Sequence, residues 1–311
     1  MTCPAAVPTA TSAQPTTTAA QADALATAQG AVLSPSFQLS ARGTNAASKC
    51  MWDLAVLGAT DTNGRASAAW ILACAILRQR GGGSRVYEVW RAAAVLATPL
   101  AGKDRLLAES VIAPVFGLPG RNPDPQEQLQ GFVTEWLWYR LASEKAESHR
   151  FVEHIEPPSW SVTEQGGDGL VVHRAVAGAG GGGGALSFRL WELKKHSSSA
   201  SISATVGRAY AQLEGRALTY LAKITGASAY ITGDIGDLLA SLADRWLDAD
   251  AAAGVGVGVA TNSQPPTKCF TTMGRRFPFL SAAGQLEGLL AAIEDLPGFA
   301  LDVRRFVWSA L

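Results

Sequence analysis

Apolar and polar positions change period partway along the chain. Between residues 65 and 116 the apolar residues recur at helical spacing. Ala66–Arg78 reads as one helix, stopped by Gly81-Gly82-Gly83, and Val86–Ala97 and Asp104–Val115 read as two more. Pro119–Pro125 is a predicted loop, and a longer helix is predicted from about Gln126 to Ser148. Past residue 168 the period shortens. Residues 169–176 and 185–194 are short apolar or alternating runs and predict strands, with Gly178–Gly184 as a flexible hairpin loop between them. That glycine run does not read as a phosphate cradle, because no Lys-Ser/Thr follows it and the next element is a strand rather than a helix.

Further on, Ser203–Ile224 and Asp234–Leu247 predict helices. Gly254–Ala260 alternates Gly and Val, a narrow buried strand against which something packs closely. Residues 261–278 read as irregular, Ala282–Asp295 as a helix and Phe299–Trp308 as a last strand. Helices and strands interleaved in this way predict an α/β fold, a central sheet flanked by helices, with an N-terminal helical region. Residues 1–46, rich in Ala, Thr, Ser, Gln and Pro and almost uncharged, read as a disordered leader, with strong order beginning near Met51-Trp52. The expected organisation is thus a leader over 1–46, a helical region over 47–120 and an α/β domain over 121–311.

Composition narrows the function classes. At 311 residues with 48% hydrophobic positions, the chain can bury a sizeable core. Formal net charge is zero, which argues against nucleic-acid binding by the whole surface but leaves a local basic groove open. Cys3, Cys50, Cys74 and Cys269 form no C-x-x-C pair, and the four histidines complete no zinc spacing, so free thiols in a reducing cytoplasm are expected. No apolar run has the length of a membrane span, and the N-terminus lacks the pattern of a signal peptide. A soluble cytoplasmic protein is the expectation.

The chemistry concentrates in two short stretches. Asp168 opens the run Asp168-Gly169-Leu170-Val171-Val172, and 24 positions later comes Trp191-Glu192-Leu193-Lys194. Side chains alternate faces along a strand, so Leu186, Phe188, Leu190, Glu192 and Lys194 share one face that begins apolar and ends in an acid and an amine. If the two strands form an antiparallel hairpin, the start of one lies beside the end of the other and Asp168 meets Glu192. Two carboxylates of this kind suit Mg²⁺ or Mn²⁺, which takes one or two carboxylates and keeps several waters. A nearby lysine can orient or deprotonate a water, or neutralise developing charge. Without that juxtaposition the triplet is an ordinary surface Glu-Lys pair.

Glu135 lies in Phe132-Val133-Thr134-Glu135-Trp136-Leu137-Trp138-Tyr139, a helix apolar on nearly every side. A buried carboxylate there implies either a metal or a partner such as Arg140. The helix after the triplet carries the apolar stripe Val206, Tyr210, Leu213, Ala217, Tyr220 and Ile224, with Arg208, Gln212, Arg216 and Lys223 on a more polar side. Gln212 is placed to hold a water or phosphate, and Arg208 and Lys195 to bind a nucleic-acid backbone. His196 is a candidate phosphate contact, whereas Arg216 and Lys223 read as a solvated face. Residues 185–225 hold six basic side chains and two acidic ones, an excess that fits a phosphate-facing groove. His173 falls on the face opposite Asp168 and reads as a packed core histidine. No serine sits in a nucleophile elbow.

These residues resemble the PD-(D/E)xK nuclease superfamily, the restriction-endonuclease-like fold. The match is Asp168 for the first acid, Glu192-Leu193-Lys194 for the E-x-K motif, Glu135 for an acid on the preceding helix and Gln212 on the following one. Gly167 stands where the family name has proline, and the resemblance spans residues 126–260. It implies Mg²⁺-dependent phosphodiester cleavage, in DNA before RNA. The wider layout also resembles the nuclease subunit of a bacterial helicase–nuclease antiphage defence pair of the Hachiman type, which implies a helicase-type protein partner. The competing expectation is a non-catalytic nucleic-acid-binding, sensor or scaffold module on the same fold.

Overall fold

A computed structural model describes residues 17–58, 61–121, 126–158, 168–176, 184–196, 201–263, 265 and 267–311. The N-terminal half runs α1 (Ala19–Ala28), β1 (Gln38–Thr44), β2 (Met51–Leu57), α2 (Thr62–Arg80), α3 (Arg85–Val95), α4 (Gly102–Phe116) and α5 (Gln126–Ser143). There follow β3 (Arg150–Ile155), β4 (Gly169–Ala175), β5 (Leu186–His196), α6 (Ile202–Ala227), α7 (Gly233–Ala240), α8 (Leu242–Leu247) and β6 (Val255–Thr261). A 3₁₀ turn (Thr267–Phe270), α9 (Met273–Arg276), β7 (Leu286–Ile293) and α10 (Leu296–Trp308) complete the chain.

The seven strands form one mixed sheet in the order β1-β2-β7-β6-β5-β4-β3. β2, β7, β6 and β5 run parallel, while β1 pairs antiparallel with β2, and β4 pairs antiparallel with both β5 and β3. In a flat sheet, four spacings of about 4.8 Å would separate β3 from β7. Arg150 of β3 nevertheless reaches Glu287 of β7 at 2.8 Å, so the sheet curls.

Alternation along the strands decides what covers each face. Phe188 and Leu190 of β5, with Val255, Val257 and Val259 of β6, pack into one core with Val206, Tyr210 and Leu213 of α6. The opposite face carries Trp191 and Leu193 beneath Trp138 of α5, and further along Ala291 and Ile293 beneath α2 and α10. Each fully buried Val, Leu or Phe contributes roughly 1.5–3 kcal/mol, so both layers hold the strands firmly. The Gly-Val alternation of β6 follows from this arrangement. Its valines point to α6 and its glycines to the indoles, and a Cβ at Gly256 would lie 2.2 Å from the Trp191 ring.

The helices α2, α3, α4 and α6 fall where their periodicity predicts them. Several other expectations are corrected. The stretch read as a disordered leader holds α1 and β1 in its described part, residues 17–46. Ala22 and Ala26 of α1 pack against α2, and β1 pairs with β2, so small-residue composition concealed buried faces. The segment read as the helix Ala282–Asp295 contains β7 instead. Both faces of β7 are covered, and a strand buried on both sides loses its alternation and reads as a continuous apolar run. The segment read as the strand Phe299–Trp308 belongs to α10, whose buried Leu296, Phe299, Ala300, Val303, Phe306 and Val307 follow helical spacing behind Pro297 in its first turn. The expected single helix Asp234–Leu247 is interrupted at Ser241. The expected hairpin loop, apart from Gly184, and Gly167 lie outside the described residues.

Residues 47–120 and the α/β layer share one core. Trp90 of α3 donates its indole N–H to the Val307 carbonyl of α10 at 2.9 Å, and the Leu100 N–H reaches the Ala310 carbonyl at 2.9 Å. Among the described residues no helix is long and apolar enough to cross a membrane.

Candidate active site

Asp168 stands immediately before β4, and the antiparallel register pairs its neighbour Gly169 with Trp191 of β5. Its backbone N–H bonds the Trp191 carbonyl at 3.2 Å, and its carboxylate accepts the Leu193 N–H at 2.5 Å. Asp168 is therefore held across the residue between those two, Glu192. The hairpin expected from the sequence delivers the first acid to the second.

Glu192 is completely buried, with 0% exposure. The Lys194 ammonium, half-buried on the same strand face, donates to Glu192 Oε1. Glu192 Oε2 is buried and meets no hydrogen-bond donor among the described residues. The Asp168 carboxyl lies within hydrogen-bonding reach of Glu192. Burial, and then the charge of Asp168, raise the protonation range of Glu192, while burial raises that of Asp168 against the opposing Leu193 N–H and Lys194. Two ionised carboxylates have no hydrogen to share, so the pair is satisfied by a common proton or by a cation.

Glu135 enters from α5, on the side of the hairpin opposite α6. Burial first, then the charges of Asp168 and Glu192, push its carboxyl up to about 8, with Lys194 opposing. Of the two partners open to it, Arg140 is committed elsewhere, to Glu144 at 2.8 Å and the Ala31 carbonyl at 3.0 Å. Among the described residues, no three or more His, Cys, Asp or Glu side chains are grouped closely enough to cage a metal. Glu135 thus feels the field of the pair without joining it as a third ligand.

Gln212 of α6 accepts from Lys194 Nζ at 3.1 Å through its Oε1, and its Nε2 donates to the Tyr220 hydroxyl at 3.1 Å. The tyrosine fixes which way the amide faces. Sequence reasoning placed Tyr220 only in the apolar stripe; its hydroxyl, a little over two helical turns from Gln212, was the available signal. Thr205, also unmarked in the sequence, is fully buried and gathers two candidates. His196 Nδ1 lies 2.8 Å from its Oγ1, and exposed Arg208 donates to the same oxygen at 2.9 Å. Lys195 alternates to the sheet face of Trp191 and Leu193, away from Glu192 and Lys194. His173 is 5% exposed, and burial lowers it to about 4, which keeps it neutral in the core.

The donor set fits a hard divalent cation. Two carboxylate groups converge, one oxygen is buried without a donor, and mutual repulsion is relieved by positive charge. Asp168 and Glu192 are the residues that would hold it. No protein-family model matches the chain, and no curated protein matches it in sequence.

Proposed function

We propose that the chain is a metal-dependent phosphodiesterase acting on nucleic acid, DNA first, as PD-(D/E)xK nucleases do. The observation that supports this reading is the Asp168–Glu192 pair with Lys194 bound at its edge and Glu192 Oε2 left without a donor. When bound, Mg²⁺ or Mn²⁺ would stabilise phosphoryl charge and make a bound water more acidic.

The chain's own residues divide the remaining work. Asp168 and Glu192 supply the anionic oxygens, and the Leu193 N–H holds Asp168 in place. Lys194 brings a positive charge to the site's edge, where it neutralises a phosphate oxygen or takes a water proton once deprotonated. Gln212, fixed by Tyr220, aims that ammonium. Glu135, protonated at neutral pH, adds no third negative charge. His196 and Arg208, joined at Thr205, would meet the backbone of a bound strand. A bacterial defence context and a helicase-type partner belong to the same proposal and rest on the resemblance alone.

The test is cleavage of plasmid DNA by purified protein in Mg²⁺, comparing wild type with Glu192→Ala and Lys194→Ala. The proposal expects activity that is abolished by EDTA and by either substitution. Cleavage surviving in both variants overturns it. The second reading, a non-catalytic module, is favoured by one observation: Lys194 is already engaged by Glu192 and Gln212, a closed set that needs no ligand. Calorimetry with Mn²⁺ separates the two, since a module of that kind shows no uptake that depends on Asp168.

A further inference from the structure

A cavity of about 240 Å³ lies among α1, α2, α3 and α5, walled in part by Asp23, Arg78, Tyr87, Arg91 and Arg140. Three guanidinium groups converge on it against one carboxylate. The excess is still positive when Glu144, which pairs with Arg140 from outside the cavity wall, is included.

The carboxylate is already satisfied. Asp23 Oδ1 accepts from Arg91 Nη2 at 2.6 Å and from the Trp70 indole at 2.9 Å, and its Oδ2 accepts from Arg91 Nη2 at 2.9 Å. The arginines are not satisfied to the same degree. Arg140 donates through Nη2 to the Ala31 carbonyl and Glu144, but its Nε is buried with no hydrogen-bond partner. Arg78 is exposed. Among the described residues it makes one hydrogen bond, from Nη2 to the Tyr87 hydroxyl at 3.1 Å, and its guanidinium carbon lies over the Tyr87 ring, 4.6 Å from the centroid. A forked donor held over an aromatic ring is pre-oriented for a multi-oxygen anion.

We infer that this cavity is a binding site for a small phosphate monoester, with Arg78 and Arg140 as its phosphate-contacting residues. Size sets the class. The volume lies just below the ~300 Å³ at which drug-sized pockets begin, which admits a sugar phosphate or a nucleoside monophosphate and excludes a dinucleotide. The cavity lies outside the carboxylate site, so the inference does not depend on the phosphodiesterase reading.

The experiment is titration calorimetry of the full chain with inorganic phosphate, ribose 5-phosphate and AMP, with adenosine as the uncharged control. The inference expects both monoesters to bind more tightly than inorganic phosphate, adenosine not to bind, and Arg78→Gln to weaken the monoesters roughly tenfold, about one charge-assisted hydrogen bond. Because Arg78 is exposed, this substitution uncovers no buried charge, and an unchanged melting temperature confirms that the variant is folded. Should it nonetheless unfold, wild-type discrimination between AMP and adenosine decides alone. No binding by any phosphate at millimolar concentration, equal binding of adenosine, or full affinity in folded Arg78→Gln each overturns the inference.

Discussion

The Asp168 carboxylate accepts the backbone N–H of Leu193 at 2.5 Å, and this bond fixes the first acid against the strand that carries the second. Asp168 therefore does two jobs that substitution can separate. Asp168→Asn keeps an acceptor for the Leu193 N–H but loses the charge; Asp168→Ala loses both. Mn²⁺ uptake, read by calorimetry, is expected to vanish in both variants. Stability, read by urea unfolding, is expected to fall only in the alanine variant, by about 1.5–3 kcal/mol for a hydrogen bond to a charged group. Equal destabilisation of the two variants would show that the bond does not hold the hairpin.

Glu135 gives the metal-free protein a pH dependence of definite sign. Its folded carboxyl is raised to about 8, whereas in the unfolded chain it titrates near its ordinary 4.5. Across that window the folded state holds a proton that the unfolded state has released. Stability is fully present below 4.5 and is lost as pH rises towards 8. His173 works in the opposite sense. Lowered to about 4 from 6.5, it costs stability as pH falls below 6.5, so over pH 6.5–8.5 the slope comes from Glu135 together with Glu192, whose carboxyl is likewise raised. Thermal melts in EDTA are expected to show a melting temperature that drops across this interval. Glu135→Gln should reduce that slope, and Mn²⁺ should flatten it in wild type. An unchanged slope in Glu135→Gln would remove the carboxyl from this role.

Much of the site was legible because its logic is local. A period of two puts Glu192 and Lys194 on one face, and a hairpin needs only its two ends to meet, so the register that joins Gly169 to Trp191 could be anticipated. Glu135 was legible as a charge stranded in an apolar helix. What escaped depends on partners far away in the chain. Nothing near Tyr220 or Thr205 marks them as polar anchors, since each gains its role only when α6 lies against β5. β7 and α10 exchanged identities for a related reason. The continuous run Leu289-Leu290-Ala291-Ala292-Ile293 fits helix or doubly covered strand equally well until the covering layers are known. β1 and β2 pair with each other and, through β2, with β7 some 230 residues on, a contact no local period encodes.

Glu287 shows how far such a non-local group can matter. It is 2% exposed near the start of β7 and stands among Arg150 at 2.8 Å, Arg189 at 3.2 Å and Lys145 at 3.7 Å. These cations hold its carboxyl below the usual range despite burial. They come from β3, β5 and the turn after α5, so one carboxylate ties the curled edge of the sheet to its middle. Glu287→Gln leaves the shape nearly unchanged but strands buried positive charge. The expected loss is about 3–5 kcal/mol, read by urea unfolding. A loss near zero would mean that water or relaxation compensates and that the network does not hold the curl.

Tyr220 reaches the candidate chemistry only through Gln212, which makes its role separable from that of the acids. Tyr220→Phe removes the acceptor that fixes the Gln212 amide and leaves Asp168 and Glu192 untouched. Metal uptake is therefore expected to stay within a factor of about two, because one distant neutral hydrogen bond adds little to it. The cleavage rate is expected to fall roughly three- to tenfold, the equivalent of that single bond, with KM unchanged. Gln212→Ala should cost at least as much. If Tyr220 acts by orienting the amide, then adding Tyr220→Phe to Gln212→Ala removes nothing further, and the two substitutions fail to add. Additive losses would place Tyr220 on a separate path, and loss of metal uptake in Tyr220→Phe would mean that the hydroxyl supports the carboxylate pair rather than the lysine.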